Sequence, residues 1–126
     1  MARILIAEDE EPLRTLIKRG LAEEGHSVVA TADGSEALDR LQSEDGSFDL
    51  LLADIKMPVM DGIALALAVA RDFPKLPILL MTGYADQRER VSGLEALICD
   101  VIAKPFALAE IKDAVASALA KGKPRP

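Results

Sequence analysis

The chain has 126 residues and a formal net charge of -6, from 21 acids against 15 bases. That length suits one domain with a real core, and the acidic balance argues against electrostatic binding to nucleic acid. One cysteine, Cys99, and one histidine, His26, exclude a disulfide framework and a Cys/His zinc site.

Arg3 to Ala7 is predicted as a first strand, centred on Ile4, Leu5 and Ile6, and it runs into the acids Glu8, Asp9, Glu10 and Glu11. Pro12 suits the first turn of a helix. Leu13, Leu16, Ile17, Gly20 and Leu21 then recur at helical spacing, with Gly25 as the stop and His26 expected at the surface. Ser27 to Thr31 is the second strand. Asp33 or Ser35 caps the next helix, which carries Ala37, Leu38 and Leu41 and decays into the polar loop Ser43 to Ser47.

The stretch Phe48 to Gly62, FDLLLADIKMPVMDG, is central. Leu50 to Ala53 form a continuous apolar run, the signature of a strand buried on both faces, and the run delivers the lone carboxylate Asp54. Asp61 or Gly62 opens a helix with Ile63, Leu65, Ala66, Leu67 and Val69. Pro77 to Met81 is a fourth strand ending at Thr82 and Gly83. Asp86 to Ala96 is the weakest helix: Asp86 and Glu89 have capping-box spacing, but Gly93 lies inside and the face is mostly charged. Ile98 to Ala103 is the fifth strand, with Cys99 as a small core residue, and it ends at Lys104-Pro105. Leu108, Ile111, Val115 and Leu119 mark the last helix. Lys121 to Pro126, KGKPRP, is expected as a disordered tail after a domain spanning residues 1–120.

Strand and helix thus alternate along the whole chain, which predicts an α/β fold: a five-stranded parallel sheet with helices on both faces. Right-handed crossovers and the flavodoxin-like order 2-1-3-4-5 follow for that number of strands. In such a sheet the carboxyl ends of the strands share one edge. Strand one brings Glu8 and Asp9 there, strand three Asp54, strand four Thr82 and strand five Lys104. Acids so grouped repel one another and favour a hard divalent cation, most simply Mg2+. An Asp carboxylate can accept a phosphoryl group covalently, with the Thr82 hydroxyl and the Lys104 ammonium to hold its oxygens. Each residue has an ordinary alternative: acids before a helix N-terminus, a turn threonine, a solvated lysine. Their joint placement at successive strand ends favours the chemical reading.

With these motifs in hand, ILIAEDE, LLLADIKMPVMDG, ILLMTGYA and IAKPF, the chain resembles the receiver domain of two-component response regulators over about residues 3 to 120. It resembles the stand-alone, chemotaxis-regulator-like kind. The resemblance implies that Asp54 is the phosphoacceptor, served by a histidine kinase or histidine phosphotransferase. It implies Mg2+ held by Asp9, Asp54 and the main-chain carbonyl of Lys56, with Glu8 acting through water. Thr82 and Lys104 would contact the phosphoryl group, and the Lys104-Pro105 bond would be cis. The module would not be an enzyme beyond its own phosphorylation and dephosphorylation, and its output would be altered binding to a downstream protein. Two positions depart from the pattern. Val101 replaces the usual Tyr or Phe of the switch, so Tyr84, two residues after Thr82, is expected to share the switch with Thr82. Lys56 replaces an uncharged polar residue.

An aspartyl-nucleophile, metal-dependent phosphatase is the alternative. It needs a second acid two residues beyond the nucleophile, where this chain has Lys56. A flavodoxin-type nucleotide binder needs a Gly/Ser/Thr-rich loop after strand one, and that loop is acidic here. No apolar run approaches a membrane span, and the acidic opening MARILIAEDEE is no signal peptide, so a cytoplasmic location without membrane insertion is expected.

Overall fold

A computed structural model describes residues 2–83, 91 and 93–121. In chain order they form β1 (Arg3–Ala7), α1 (Glu11–Glu23), β2 (Ser27–Thr31), α2 (Gly34–Ser43), β3 (Leu50–Asp54), α3 (Gly62–Asp72), β4 (Ile78–Thr82), β5 (Asp100–Ala103) and α4 (Leu108–Lys121). The strands make one sheet in the order β2-β1-β3-β4-β5, every neighbour parallel. This is the expected topology.

Side-chain alternation splits the core in two. Leu5, Ala7, Leu51, Ala53 and Leu80 face one cluster, closed by Ala37 and Leu41 of α2 and by Leu65, Ala66 and Val69 of α3. Ile4, Ile6, Leu50, Leu52, Leu79 and Met81 face the other, closed by Ile17 and Leu21 of α1 and by Ile111, Val115 and Ala118 of α4. Hence β3 and β4 are buried at every position, and each buried Leu or Ile contributes about 1.5–3 kcal/mol. The outer strands β2 and β5 are only partly covered.

Local chemistry sets the helix ends. Asp33 and Asp61 cap α2 and α3, each accepting a backbone N–H at 2.9 Å, from Glu36 and Ala64 respectively. Pro12 lies in the first turn of α1, and Gly25 beyond its end has φ of 92°.

Several expectations need correcting. Leu16 and Leu67 are about half exposed. Of α1 only Ile17, Gly20 and Leu21 are fully buried, a narrower stripe than the apolar sequence pattern. His26 is at the surface but partly covered, and its Nδ1 accepts the Ala2 N–H at 3.1 Å. Cys99 is half-buried and packs against the core between the sheet and the α1–α4 layer, at its margin. Lys121, expected to open the tail, is the last residue of α4, and the rest of that tail lies outside the described residues. So does most of the expected Asp86 to Ala96 helix. Its described end is not helical: Gly93 has φ of 90° and residues 95–97 form turns.

The loop from β3 to α3 holds the most constrained backbone among the described residues. Val59 has φ of 67°, and Met60 N–H donates to Pro58 C=O at 2.7 Å, closing a γ-turn of the rare positive-φ kind. A β-branched residue there is strained. At Gly62 the constraint is space: a Cβ would lie 2.2 Å from the Asp54 carbonyl oxygen. Two substitutions in this loop should therefore move stability in opposite directions. In urea unfolding, Val59→Gly is expected to gain about 1 kcal/mol as the strain goes. Gly62→Ala is expected to lose roughly 2–3 kcal/mol through overpacking against backbone.

Candidate functional site

The carboxyl edge of the sheet gathers residues from four strands. At the end of β1, Glu8 N–H continues the ladder by donating to Thr31 C=O at 3.1 Å. Arg14 of α1 donates through Nη1 to the Glu8 carbonyl at 2.9 Å. At the end of β3, Ile55 N–H donates to Met81 C=O and Gly62 N–H donates to Ile55 C=O, so the backbone after Asp54 is held from two sides. At the end of β5, Lys104 N–H donates to Thr82 C=O at 2.7 Å. The Lys104-Pro105 bond is cis, as the resemblance implied.

These anchors bring Glu8, Asp9 and Asp54 together, with one carboxylate oxygen of each within 4.8 Å of the others. Glu8 and Asp54 are buried, whereas Asp9 is exposed. Lys104 Nζ donates to Asp54 Oδ2 at 2.7 Å and lies 3.5 Å from Glu8 Oε2. The compensation is uneven. Glu8 Oε1 accepts the Glu10 N–H at 3.3 Å, but Oε2 accepts no hydrogen bond among the described residues.

The charges respond to this geometry. Burial first, then the adjacent Asp54 carboxyl, pushes Glu8 up to about 8, against the opposing pull of Lys104 and the Glu10 N–H. Burial opposes the charge on Lys104, yet the hydrogen bond and charge of Asp54, with Glu8 and Glu10, hold its pKa above the ordinary lysine value. A buried carboxyl oxygen that accepts no hydrogen bond among the described residues, beside two more carboxyls, is what a hard divalent cation would satisfy. The oxygen-only donor set fits such an ion.

A cavity of about 540 Å³ opens onto this corner, lined among others by Asp9, Asp54, Lys56 and Lys104. Of the expected site residues, Thr82 is buried at the end of β4 and is not part of that lining; its neighbour Gly83 is. Val101 is half-buried on β5, paired in register with Leu80, and packs against the core between the sheet and the α2–α3 layer. Tyr84 lies outside the described residues. Sequence reasoning passed over Glu10, Leu13, Pro105 and Phe106, which also line the cavity. The signal for the last two was the Lys-Pro-Phe run itself; Leu13 was read only as part of a helix stripe.

Residues 4–116 match the response regulator receiver domain family. The chain belongs to that family. This receiver domain is 37% identical over 122 residues to the response regulator MprA of Mycobacterium avium (strain 104), an alignment covering 97% of this chain and 53% of that protein. The chain thus spans about half the length of the mycobacterial relatives it matches. The response regulator protein TrrA of Thermotoga maritima, solved in complex with Mg2+-BeF, superposes with a TM-score of 0.82 at 32% identity, covering 93% of this chain and 98% of that one. A CheY-like receiver domain protein from Methanospirillum hungatei JF-1 gives 0.86 at 30% identity, covering 96% and 95%. Receiver domains are signalling modules of two-component systems, and the acidic corner of this one is typical of the family. Among the described residues no helix is long and apolar enough to cross a membrane.

A pH test follows from Glu8. Its folded pKa of about 8 lies above the ordinary 4.5, so between those values the native receiver domain keeps a proton that the unfolded chain has released. The contribution of Glu8 to stability is whole below pH 4.5 and is lost as pH rises towards 8. In EDTA, the Tm of wild type relative to Glu8→Gln should fall across that window. A divalent cation held by this cluster should raise the wild-type Tm more at pH 8 than at pH 5, because carboxylates bind a metal in their deprotonated form; titration with Mg2+ checks this.

Proposed function

We propose that Asp54 is the phosphoacceptor of this receiver domain and takes its phosphoryl group from a phosphohistidine donor, on a histidine kinase or a histidine phosphotransferase. The observation that carries this reading is the buried Asp54 carboxylate at the floor of an open cavity, paired with Lys104 and flanked by two further acids. The cation is Mg2+, held by Asp9, Asp54 and the main-chain carbonyl of Lys56, with Glu8 acting through water. The Mg2+-BeF complex of TrrA supports that choice. When bound, the ion offsets the charge of the acids and of the phosphoryl oxygens together.

The protein's own groups do the rest. An Asp54 oxygen attacks phosphorus as the bond to the donor nitrogen breaks. Lys104 passes from the carboxylate to the phosphoryl oxygens as a mobile point charge. Thr82, one residue before the cavity wall, supplies a hydroxyl and moves towards the new group; with Val101 and Tyr84 it forms the switch. Val101 has no polar end, so the displacement is read as packing against the core rather than as a hydrogen bond.

The receiver unit occupies residues 1–121, since Lys121 closes α4. It works in the cytoplasm, turns over no external substrate, and signals through a downstream protein without touching nucleic acid itself. Lys56 stands where an aspartyl phosphatase would need its second acid.

Incubation with acetyl phosphate and Mg2+ should add one phosphoryl group, mapped to Asp54 and absent from Asp54→Asn. Label persisting in that variant would sink the assignment. Asp9→Ala should weaken Mg2+ binding by about tenfold or more, read as the Mg2+ concentration needed for half-maximal labelling.

A further inference from the structure

The cavity above Asp54 holds more space and more apolar surface than a phosphoryl group and a cation require. Its volume is about 540 Å³, whereas a water molecule occupies about 30 Å³ of liquid. Beside the charged residues it is lined by Leu13, from the first turns of α1, and by Pro105 and Phe106, from the loop after β5. Leu13 and Phe106 are half-buried, packed in part against the core between the sheet and the α1–α4 layer. The same side chains give their remaining surface to the cavity.

Charge adds a second constraint. Among the described residues, the lining sets Asp9, Glu10 and Asp54 against Lys56 and Lys104, with the Glu8 carboxyl buried next to them. A leaving group that departs as an anion, such as a carboxylate, is released among carboxylates. A neutral, planar nitrogen heterocycle meets no such repulsion, and its ring face can lie against an aromatic or aliphatic wall.

We propose that Phe106, supported by Leu13, forms a subsite for the leaving group of the phosphodonor and selects planar heteroaromatic nitrogen leaving groups of the imidazole class. This rests on Asp54 being the acceptor. In the step, an Asp54 oxygen bonds to phosphorus while the P–N bond breaks, and the bonding pair stays on the ring nitrogen. The ring, already protonated on its other nitrogen, departs neutral. The positive charge it carried on the phosphorylated donor is cancelled by that pair, so total charge is conserved. Phe106 thereby sets specificity by touching the group that leaves, while Asp54 and Lys104 handle the group that transfers.

The test compares two small donors with the same P–N bond, N-phosphoimidazole and phosphoramidate, of which only the first carries a ring. The readout is the ratio of their second-order rate constants for labelling Asp54 in the presence of Mg2+. Phe106→Ala should lower this ratio about tenfold and Leu13→Ala about threefold, whereas Phe106→Tyr, which keeps the ring, should stay within about twofold of wild type. Should Phe106→Ala not fold, Phe106→Leu keeps apolar bulk without a ring and should still lower the ratio. A ratio unchanged on loss of the ring, or lowered as much in Phe106→Tyr, overturns the subsite while leaving Asp54 as acceptor. Wild type that takes label from neither donor overturns the acceptor reading and the subsite with it.

Discussion

Lys104 reaches from the end of β5 to Asp54 at the end of β3, and the acidic corner of the molecule depends on that reach. A carboxylate taken out of water needs a partner of opposite charge or a proton. Lys104 gives Asp54 the first of these through a short, charge-assisted hydrogen bond. It lies 3.5 Å from Glu8 as well, but too far to donate well, and burial with the Asp54 carboxyl pushes Glu8 up to about 8, towards the second course. One ammonium shared between two buried acids is a provisional arrangement. A cation with several oxygen ligands can replace it, which would free Lys104 to pair with another anion.

The backbone that holds this corner is less provisional. β1 and β3 are adjacent at the middle of the sheet, in the register Ala7↔Ala53, so the residues that follow them are neighbours whatever the side chains do. Beyond Asp54 the chain turns through a short loop tied at both ends. Gly62 donates to Ile55, and Gly34 at the start of α2 donates to Met60. The strained turn at Val59 lies between these ties, with its side chain 85% exposed. A backbone cost is thus located in the loop that follows Asp54, and such strain tends to persist only if its surroundings over-determine it.

Much of this was legible in the sequence for a simple reason. A strand buried on both faces must be apolar throughout, so Leu50 to Ala53 and Ile78 to Met81 announce themselves, and the first polar residue after each run falls at the sheet edge. Asp54 and Thr82 are visible in that way. Helix faces were harder to read. Leu16 and Leu67 are apolar and near the right spacing, yet a helix lying on a sheet buries a narrow stripe, and both turn outwards. Nothing in the letters Pro-Val-Met suggests a positive φ, since a β-branched residue argues against one. Gly62 reads as a helix start, but its need for glycine comes from the Asp54 carbonyl, a contact that exists only in three dimensions. The cavity wall was hidden for the opposite reason: Leu13 and Phe106 look like ordinary core residues, and in part they are.

The two ends of the Lys104–Asp54 bond are 50 residues apart in sequence, and Glu8 lies further still from Lys104. No local segment, and no half of the sheet, carries the corner by itself. Anything that binds there recognises the assembled sheet and ignores the unfolded chain, so its binding energy adds to the stability of the fold. A chain still emerging from synthesis, or one opened by heat, has every reactive side chain and no reactive site. Competence to bind at this corner is in this way coupled to being correctly folded.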